Sequence, residues 1–383
     1  MKTLFRKHSI MMVLTAVFIA SVFLTGGRML YPQNLSNLLL QNAYVLILAC
    51  GMLMCILTGG NIDLSVGSTA CLVGAVCAQL LNAGLNWFLV IVIGIVIGLC
   101  IGIWNGFLIG RFQIPSFVCT LAGMFAFRGL ARAVLHSKTV AVTNEKFLDA
   151  FASYIRIPGL DDGTVRWSCF ILGIIISAVI VSYALVIRYR RKLLVNKIEA
   201  PRFEILRYLS ACALALGYTW ALANYKGIPI MAVWVVVIIF IYAFITSQTA
   251  LGRYFYAVGD NEKAAALSGI ETWKIYFLAY TSMSVLAALC GMITAARIGS
   301  VNGDTGNAFE MDAIAACFIG GASAYGGSGS VYGIVVGAVL LGVINQGMSI
   351  IGLDSNWQFV VKGVVLLSAV IFDVAVNRKR RKE

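Results

Sequence analysis

The sequence predicts an all-α membrane protein with about 10 to 12 transmembrane helices. Of its 383 residues, 60% are hydrophobic and only 12% are charged, and the mean hydropathy is +0.91. A soluble domain of this length would carry about 25% charged residues. The sequence lacks the apolar–polar alternation of β-barrel strands, and its 38 glycines with only 5 prolines favour closely packed helices.

Twelve apolar runs approach the ~20 residues that a membrane span requires. They cover about 9–25, 40–58, 64–82, 87–109, 115–135, 168–187, 205–223, 228–246, 274–296, 312–329, 331–350 and 357–376. Twelve crossings and the distribution of Lys and Arg predict that both termini lie in the cytoplasm. The glycine-rich 312–329 segment is also compatible with a re-entrant loop, and residues 58–68 interrupt a neighbouring hairpin, so counts from ten to twelve remain open.

The net charge of +13 is concentrated beside apolar segments. The run Arg378–Lys382 directly follows an apolar segment, and 188–204 forms a basic cytoplasmic linker. Both patterns indicate topology anchors rather than a nucleic-acid site. The ten cysteines lie mostly within apolar runs and behave as small hydrophobes, and with only two histidines no metal site is expected.

The 247–273 segment is predicted to be a cytoplasmic loop that contains a short helix. Asp260 and Asn261 are N-cap residues, Glu262 suits the first turn, and Gly269 suits the left-handed position after the last turn. Because about two turns of helix are not stable alone in water, we expect this helix to be held by its flanking spans and a docking partner.

The Thr58–Ser68 segment places a carboxylate, an amide and several hydroxyls among glycines beside two spans. Such groups are costly inside a membrane unless they are satisfied or serve a function. Two interpretations follow for Asp63 and Ser65: they line a polar path, or they cap the next helix at its cytoplasmic edge.

Arg128 and Arg132 are four residues apart and therefore share one helix face near the outer end of a span. They either extend their head groups to the membrane surface or meet acidic residues of a docking protein. The glycine pairs from Gly94 to Gly106, and Gly333 with Gly337, predict flat faces for helix packing within one subunit.

Several motifs resemble those of the ABC-importer permeases for monosaccharides, of the ribose, xylose and galactose type. The resemblance rests on Gly252–Tyr254, Ala257–Gly259, Glu262-x-Ala264-Ala265 and Leu267–Ile270, on Thr58–Ser68, and on Glu310–Asp312 with Ile319–Ser323. The basic segment 188–204, with the extra apolar span behind it, is similar to an insertion in xylose-type members.

This resemblance implies a type II-like permease fold as a single domain over 1–383, in a bacterial inner membrane. It implies a homodimer, separate ATPase subunits that hold ATP and Mg, a periplasmic sugar-binding protein, and xylose or a related aldose as substrate. The implied ATPase-coupling residues are Gly259, Asn261, Glu262, Ala264, Ala265 and Gly269. A path for a neutral sugar would use polar groups such as Asp63, Ser65, Ser68, Asn105 and Asn345, and Arg128 with Arg132 would face the binding protein.

No Walker A phosphate loop and no catalytic triad occur in the sequence, so ATP hydrolysis is expected on another polypeptide and no cofactor is expected in this chain. Two alternatives stay open. The same architecture could serve branched-chain amino acids, an autoinducer or nucleosides. An ATP-independent carrier would transport alone and would not need the 251–270 segment.

Overall fold

The computed structural model describes residues 2–161, 163, 165–194 and 201–380. In this part of the chain the elements are α1 (Lys2–Leu24), a 3-10 turn (Arg28–Leu30), α2 (Pro32–Leu57), α3 (Val66–Asn82), α4 (Trp87–Gly110), α5 (Ser116–Val134), β1 (Val140–Ala141), α6 (Glu145–Ala152), α7 (Trp167–Leu194), α8 (Pro201–Ala223), α9 (Ile230–Gln248), α10 (Ala250–Asp260), α11 (Glu262–Leu267), α12 (Thr272–Ile298), β2 (Ser300–Val301), α13 (Phe309–Ile319), α14 (Val331–Ile351) and α15 (Ser355–Arg380).

Among the described residues, seven helices are long and apolar enough to cross a membrane: α2, α4, α5, α7, α9, α12 and α14. Shorter apolar helices occupy Ile10–Leu24, Val66–Asn82, Tyr208–Ala223 and Ser355–Ile371. Together they coincide with every predicted span except 312–329. The prediction of an all-α polytopic membrane protein is confirmed.

Of the two interpretations of 312–329 that the sequence leaves open, the continuous span is wrong. Its helix, α13, has 11 residues and is therefore about 16 Å long, which is too short to cross alone. After Ile319 the chain runs without helix to Ser330, because glycines with positive φ, among them Gly321 at +85° and Gly326 at +83°, turn the backbone. A non-helical segment of turns at 302–308 precedes α13, just as a non-helical segment at 58–65 precedes α3.

The ends of α12 define two sides of the molecule. This helix has 27 residues, about 40 Å, with α11 before it and β2 after it. We call these ends the α11 side and the strand side. At the strand side β1 and β2 pair antiparallel, with Val140 opposite Val301.

Glycines on α4 allow it to pack closely against α12, which confirms the predicted flat face within one subunit. A Cβ atom at Gly102 would lie 2.7 Å from Thr281 Cα, and one at Gly106 would lie 2.7 Å from Phe277 O. These approaches leave no room for side chains, so the two backbones meet directly.

Helices α2, α3, α12, α13 and α14 supply most of the buried core. The α7–α8 hairpin lies at the periphery, where Tyr218 Oη donates a hydrogen bond to Leu35 O at 3.0 Å. Residues 195–200 of the predicted basic linker 188–204 lie outside the described residues, so its role stays a prediction.

Candidate functional site

Helix α11 has the two ends that the sequence predicts. Asn261 is the N-cap, and its Oδ1 accepts the Ala264 N–H at 3.0 Å. Asp260, the other cap candidate, is instead the last residue of α10. Gly269 has φ of +86°, and the Ile270 N–H donates to Ala265 O at 3.1 Å, closing a Schellman motif.

One face of α11 packs on the protein and the other faces outward. Ala265 is buried, whereas Glu262 and Ala264 are exposed. Glu262 Oε2 accepts the Tyr276 hydroxyl at 3.1 Å, which ties the helix to α12. Leu267 is 91% exposed, so α11 presents an isolated apolar side chain that the sequence analysis did not single out.

The predicted 247–273 loop also contains α10, which the sequence analysis missed. Its signal was the apolar spacing of Leu251, Phe255 and Val258, of which the last two are buried. At the end of α10, a Cβ at Gly259 would collide with Leu57 O and Gly327 N. Gly259 therefore owes its residue type to close backbone packing.

Three chain segments meet at this point: the end of α2, the end of α10 and the 320–330 segment. The Gly327 N–H donates to Leu57 O at 3.1 Å, and Tyr256 Oη donates to Gly329 O at 2.9 Å. The α10–α11 unit is thus bonded directly to the chain that follows α13.

A cavity of about 540 Å³ lies on the α11 side between α11 and the α4–α5 connection. Its lining is Asn61, Ile109, Gly110, Gln113, Ile114, Pro115, Ser116, Glu262, Lys263, Ala266, Thr272 and Tyr276. Asn61 belongs to the 58–65 break and accepts the Ser116 hydroxyl at 2.8 Å. The cavity therefore extends from the surface helix to the interrupted crossing.

The structure brings together four of the five predicted path residues. Asp63 is fully buried, and its Oδ1 accepts the Ser65 N–H at 2.8 Å and the Ser65 hydroxyl at 2.6 Å. Asn105 Nδ2 donates to Ser65 Oγ at 3.2 Å, and the Ser68 hydroxyl donates to Ser65 O at 2.7 Å. Among the contacts described, none joins Asn345 of α14 to this group.

The capping interpretation of Asp63 and Ser65 does not match their bonds. Ser65 precedes α3, but its side chain makes no capping hydrogen bond. Asp63 bonds Ser65 itself rather than the second or third residue of α3. Both side chains instead fix the conformation of the break.

Arg128 and Arg132 both bond the segment after β2. Arg128 Nη1 donates to Thr305 O at 2.6 Å and to Gly303 O at 3.2 Å. Arg132 forms an ion pair with Asp304 at 3.0 Å, and both of these side chains are more than half exposed. Arg128 thus holds the segment after β2 in place, a role that neither sequence interpretation anticipated. Arg132 keeps an exposed side chain at the strand side.

Functional candidates missed by the sequence analysis lie at the start of α13. Glu310 and Asp312 are buried there, and Asp312 Oδ2 accepts the Tyr44 hydroxyl at 2.5 Å and the Lys362 ammonium at 2.9 Å. The Glu310–Asp312 motif was the available signal. This motif carries the resemblance but does not by itself indicate a site, because the depth of these residues in the fold is not visible in the sequence.

Comparison with known proteins identifies the family. The family described as "Branched-chain amino acid transport system / permease component" matches residues 34–370. The chain belongs to this permease family. No solved structure matches the chain.

Similar proteins include two xylose transport system permeases named XylH. The protein of Escherichia coli (strain K12) is 35% identical over 95% of this chain and 90% of its own length. That of Haemophilus influenzae is 35% identical over 97% and 96%. The ribose import permease RbsC of Escherichia coli (strain K12) is 31% identical over 95% and 92%. The resemblance predicted from the motifs is confirmed, and these relatives are transport subunits rather than enzymes.

Proposed function

We propose that the chain is the membrane-spanning subunit of an ATP-driven importer that brings a monosaccharide, xylose or a related aldose, into a bacterial cell. The similarity to xylose and ribose permeases along nearly the whole chain supports the solute class. The observation that carries the proposal is α11, a capped two-turn helix whose outward face stands clear of the rest of the chain.

Helix α11 would occupy a cleft on an ATPase subunit, which would hold ATP and Mg. The coupling residues divide into two groups. Asn261 and Gly269 form the helix ends, Gly259 and Ala265 pack it on the chain, and Glu262 and Ala264 face outward. Leu267 adds an apolar contact, since an exposed leucine on a short polar helix gains free energy when a partner covers it.

A movement of α11 would be transmitted to the membrane helices over a short distance. The route runs through α10 to the Leu57–Gly259–Gly327 contact and on to α13. Gly259 packs against both neighbours, the Gly327 N–H bonds Leu57 O, and the Tyr256 hydroxyl bonds Gly329 O. A rigid shift of α10 and α11 would therefore displace the C-terminal end of α13. The path would then open alternately to the α11 side and to the strand side.

The path would use the polar break formed by Asp63, Ser65, Ser68 and Asn105, with Asn345 farther along α14. A neutral sugar needs hydrogen-bonding groups but no fixed counter-charge. Two copies of the chain would flank the path in a bacterial inner membrane. The α11 side would be cytoplasmic, and a periplasmic binding protein would dock at the strand side near Arg128 and Arg132.

Uptake of labelled xylose tests the proposal in cells that carry this chain with and without its ATPase and binding protein. Arabinose, galactose, glucose, ribose and leucine serve as competitors. Uptake that requires all three components and is competed only by sugars supports the importer. Uptake by this chain alone would establish a carrier, and competition by leucine would favour the amino-acid alternative.

A second experiment isolates the coupling helix. Leu267→Asp, Glu262→Lys and Gly269→Trp should each prevent co-purification of the ATPase while membrane insertion is unchanged. Leu30→Asp is the matched control, because Leu30 is an exposed leucine at the strand side, far from α11. Retained ATPase binding in all three coupling variants would contradict the docking role.

A further inference from the structure

Two interrupted crossings of opposite direction meet inside this protein. Helix α3 begins at Val66 and runs toward the strand side, while α13 begins at Phe309 and runs toward the α11 side. Their approach is close: a Cβ at Gly67 would collide with Gly306 O, and one at Gly306 would lie 2.6 Å from Gly67 O. The N-terminal ends of both helices therefore lie in one region in the interior of the protein.

Glu310 lies at this junction. It is the second residue of α13 and is 7% exposed. Its Oε2 is so near Gly67, the second residue of α3, that any side chain there would collide with it. Among the described residues, this oxygen has no hydrogen-bond partner. One carboxylate thus lies at the positive ends of both helix dipoles.

Asp63 repeats this property on the other interrupted crossing. Its Oδ1 is occupied by Ser65, but its Oδ2 is buried and has no partner in the described part of the chain. Asp63 lies four residues before Gly67, which Glu310 contacts. Each crossing therefore supplies one carboxylate with one unused acceptor.

We propose that Glu310 and Asp63 accept hydroxyl groups of a neutral polyhydroxylated solute when the movement of α13 opens the junction between α3 and α13. The inference rests on the proposed function and names the groups that hold the solute in the path. A carboxylate that only balanced helix dipoles would be expected to use both oxygens, since a buried acceptor without a partner is unfavourable. Hydroxyl donors from a sugar would satisfy both free oxygens.

The surroundings favour a neutral polyol over a metal cation. Both helix ends carry partial positive charge toward the junction, and this repels cations. The described residues contain no group of three or more His, Cys, Asp or Glu arranged to hold a metal ion. Phe309, next to Glu310, stacks on Tyr44 with ring centroids 3.8 Å apart, so this side of the junction is apolar.

Arg128 is a positioning residue for this junction. Its two hydrogen bonds to Gly303 O and Thr305 O hold the turns that lead to Gly306 and α13. It therefore acts on Glu310 through the backbone.

The test compares a sugar with its monodeoxy analogues in the complete complex with ATPase and saturating loaded binding protein. Removal of a sugar hydroxyl that Glu310 accepts should slow wild-type transport by about 10- to 100-fold, the scale of a hydrogen bond to a charged group. In Glu310→Gln or Asp63→Asn, transport of the parent sugar should be slower than in the wild type. The ratio of the transport rate of the parent sugar to that of the deoxy analogue lacking the bonded hydroxyl should fall toward one.

Asp312→Asn combined with Lys362→Met is the matched control, because Asp312 is a buried acid on the same helix whose partners are Tyr44 and Lys362, and removing both members of the ion pair leaves no uncompensated charge. It should slow all sugars alike and leave the ratio unchanged. Glu310→Asp keeps the charge at the helix ends. It is therefore the second variant to test if the complex with Glu310→Gln does not assemble. Its shorter side chain should also lower the ratio.

An unchanged ratio in the assembled Glu310 and Asp63 variants would overturn the inference while the importer assignment stands. A wild-type complex that assembles but moves no sugar would instead contradict the proposed function. The two failures are therefore distinct.

Discussion

The Lys362 ammonium lies 2.9 Å from Asp312 Oδ2 and joins the last helix, α15, to the short helix α13. The side chain of Asp312 is 3% exposed and that of Lys362 is 22% exposed, so the pair is largely withdrawn from solvent. Removing one member of a buried pair leaves an uncompensated charge, whereas removing both does not.

Lys362→Met should therefore destabilise the protein by about 3 to 5 kcal/mol, because Asp312 would retain only the Tyr44 hydroxyl. Thermal unfolding of the purified protein in detergent measures this change. The double variant Lys362→Met with Asp312→Asn is the control and should recover most of the stability. A single variant as stable as the wild type would show that the pair does not hold α15.

Gly259→Ala should disrupt the contact between α10 and the 320–330 segment. Its Cβ has no space beside Leu57 O and Gly327 N, and overpacking of this kind typically costs about 1 to 3 kcal/mol. Both thermal stability and ATP-driven uptake should fall. Gly129→Ala is the control, since nothing lies within 4 Å of its Cβ position in α5, and equal effects of the two substitutions would contradict this account.

Arg128→Ala should mainly lower the stability of the protein, whereas Arg132→Ala should mainly weaken docking of the binding protein. Loss of Arg128 leaves two carbonyl groups without their donor and should cost about 1 to 3 kcal/mol in unfolding free energy. Loss of the exposed Arg132–Asp304 pair should cost less than about 1 kcal/mol but weaken binding-protein association. Unfolding of both variants in detergent, with a pull-down of the binding protein, checks this. Similar destabilisation by both would contradict the assignment.

The stability of the loop around Asp161, at the strand side, should depend on pH. Burial alone would raise the pKa of Asp161, but hydrogen bonds from Ser168 and from the Ile157 N–H, together with Arg166, hold this pKa below its ordinary value. Because the pKa is lower in the folded protein, the stabilisation is present above about pH 4, the unfolded value, and is lost as the pH falls through the folded pKa.

Protection of the Ile157 and Ser168 amides against hydrogen exchange should therefore decline below about pH 4, and Asp161→Asn should lower it at pH 7. The Phe147 amide is an internal control, because its cap is the neutral Asn144 side chain, whose protonation does not change in this range. Equal pH responses of the three amides would contradict the role of the carboxylate.

Local chemistry explains why α11 was predictable. Its ends depend on Asn261 and Gly269, whose side chain and backbone freedom act within a few residues, so their effect is visible in sequence. The membrane spans were predictable for a similar reason, since apolar length alone decides whether a segment can cross. The helix α10 was missed because its polar residues masked a three-residue apolar stripe.

The roles of Arg128 and Glu310 were not predictable. Arg128 bonds residues about 175 positions away, and Glu310 lies against Gly67 of a distant helix. Neither neighbour is implied by spacing, because each depends on how two interrupted crossings pack.

The sequence by itself determined the fold class, the permease family and the short helix that projects from the α11 side, since these follow from composition and from contacts within a few residues. Only the tertiary structure decided that 312–329 is not a continuous span, that Asp63, Ser65, Ser68 and Asn105 form one group apart from Asn345, and that two half-helices meet at Glu310. The physical reason is that these features depend on contacts between segments remote in the chain. Such contacts decide which glycine backbones touch and which carboxylate oxygens are buried without a partner.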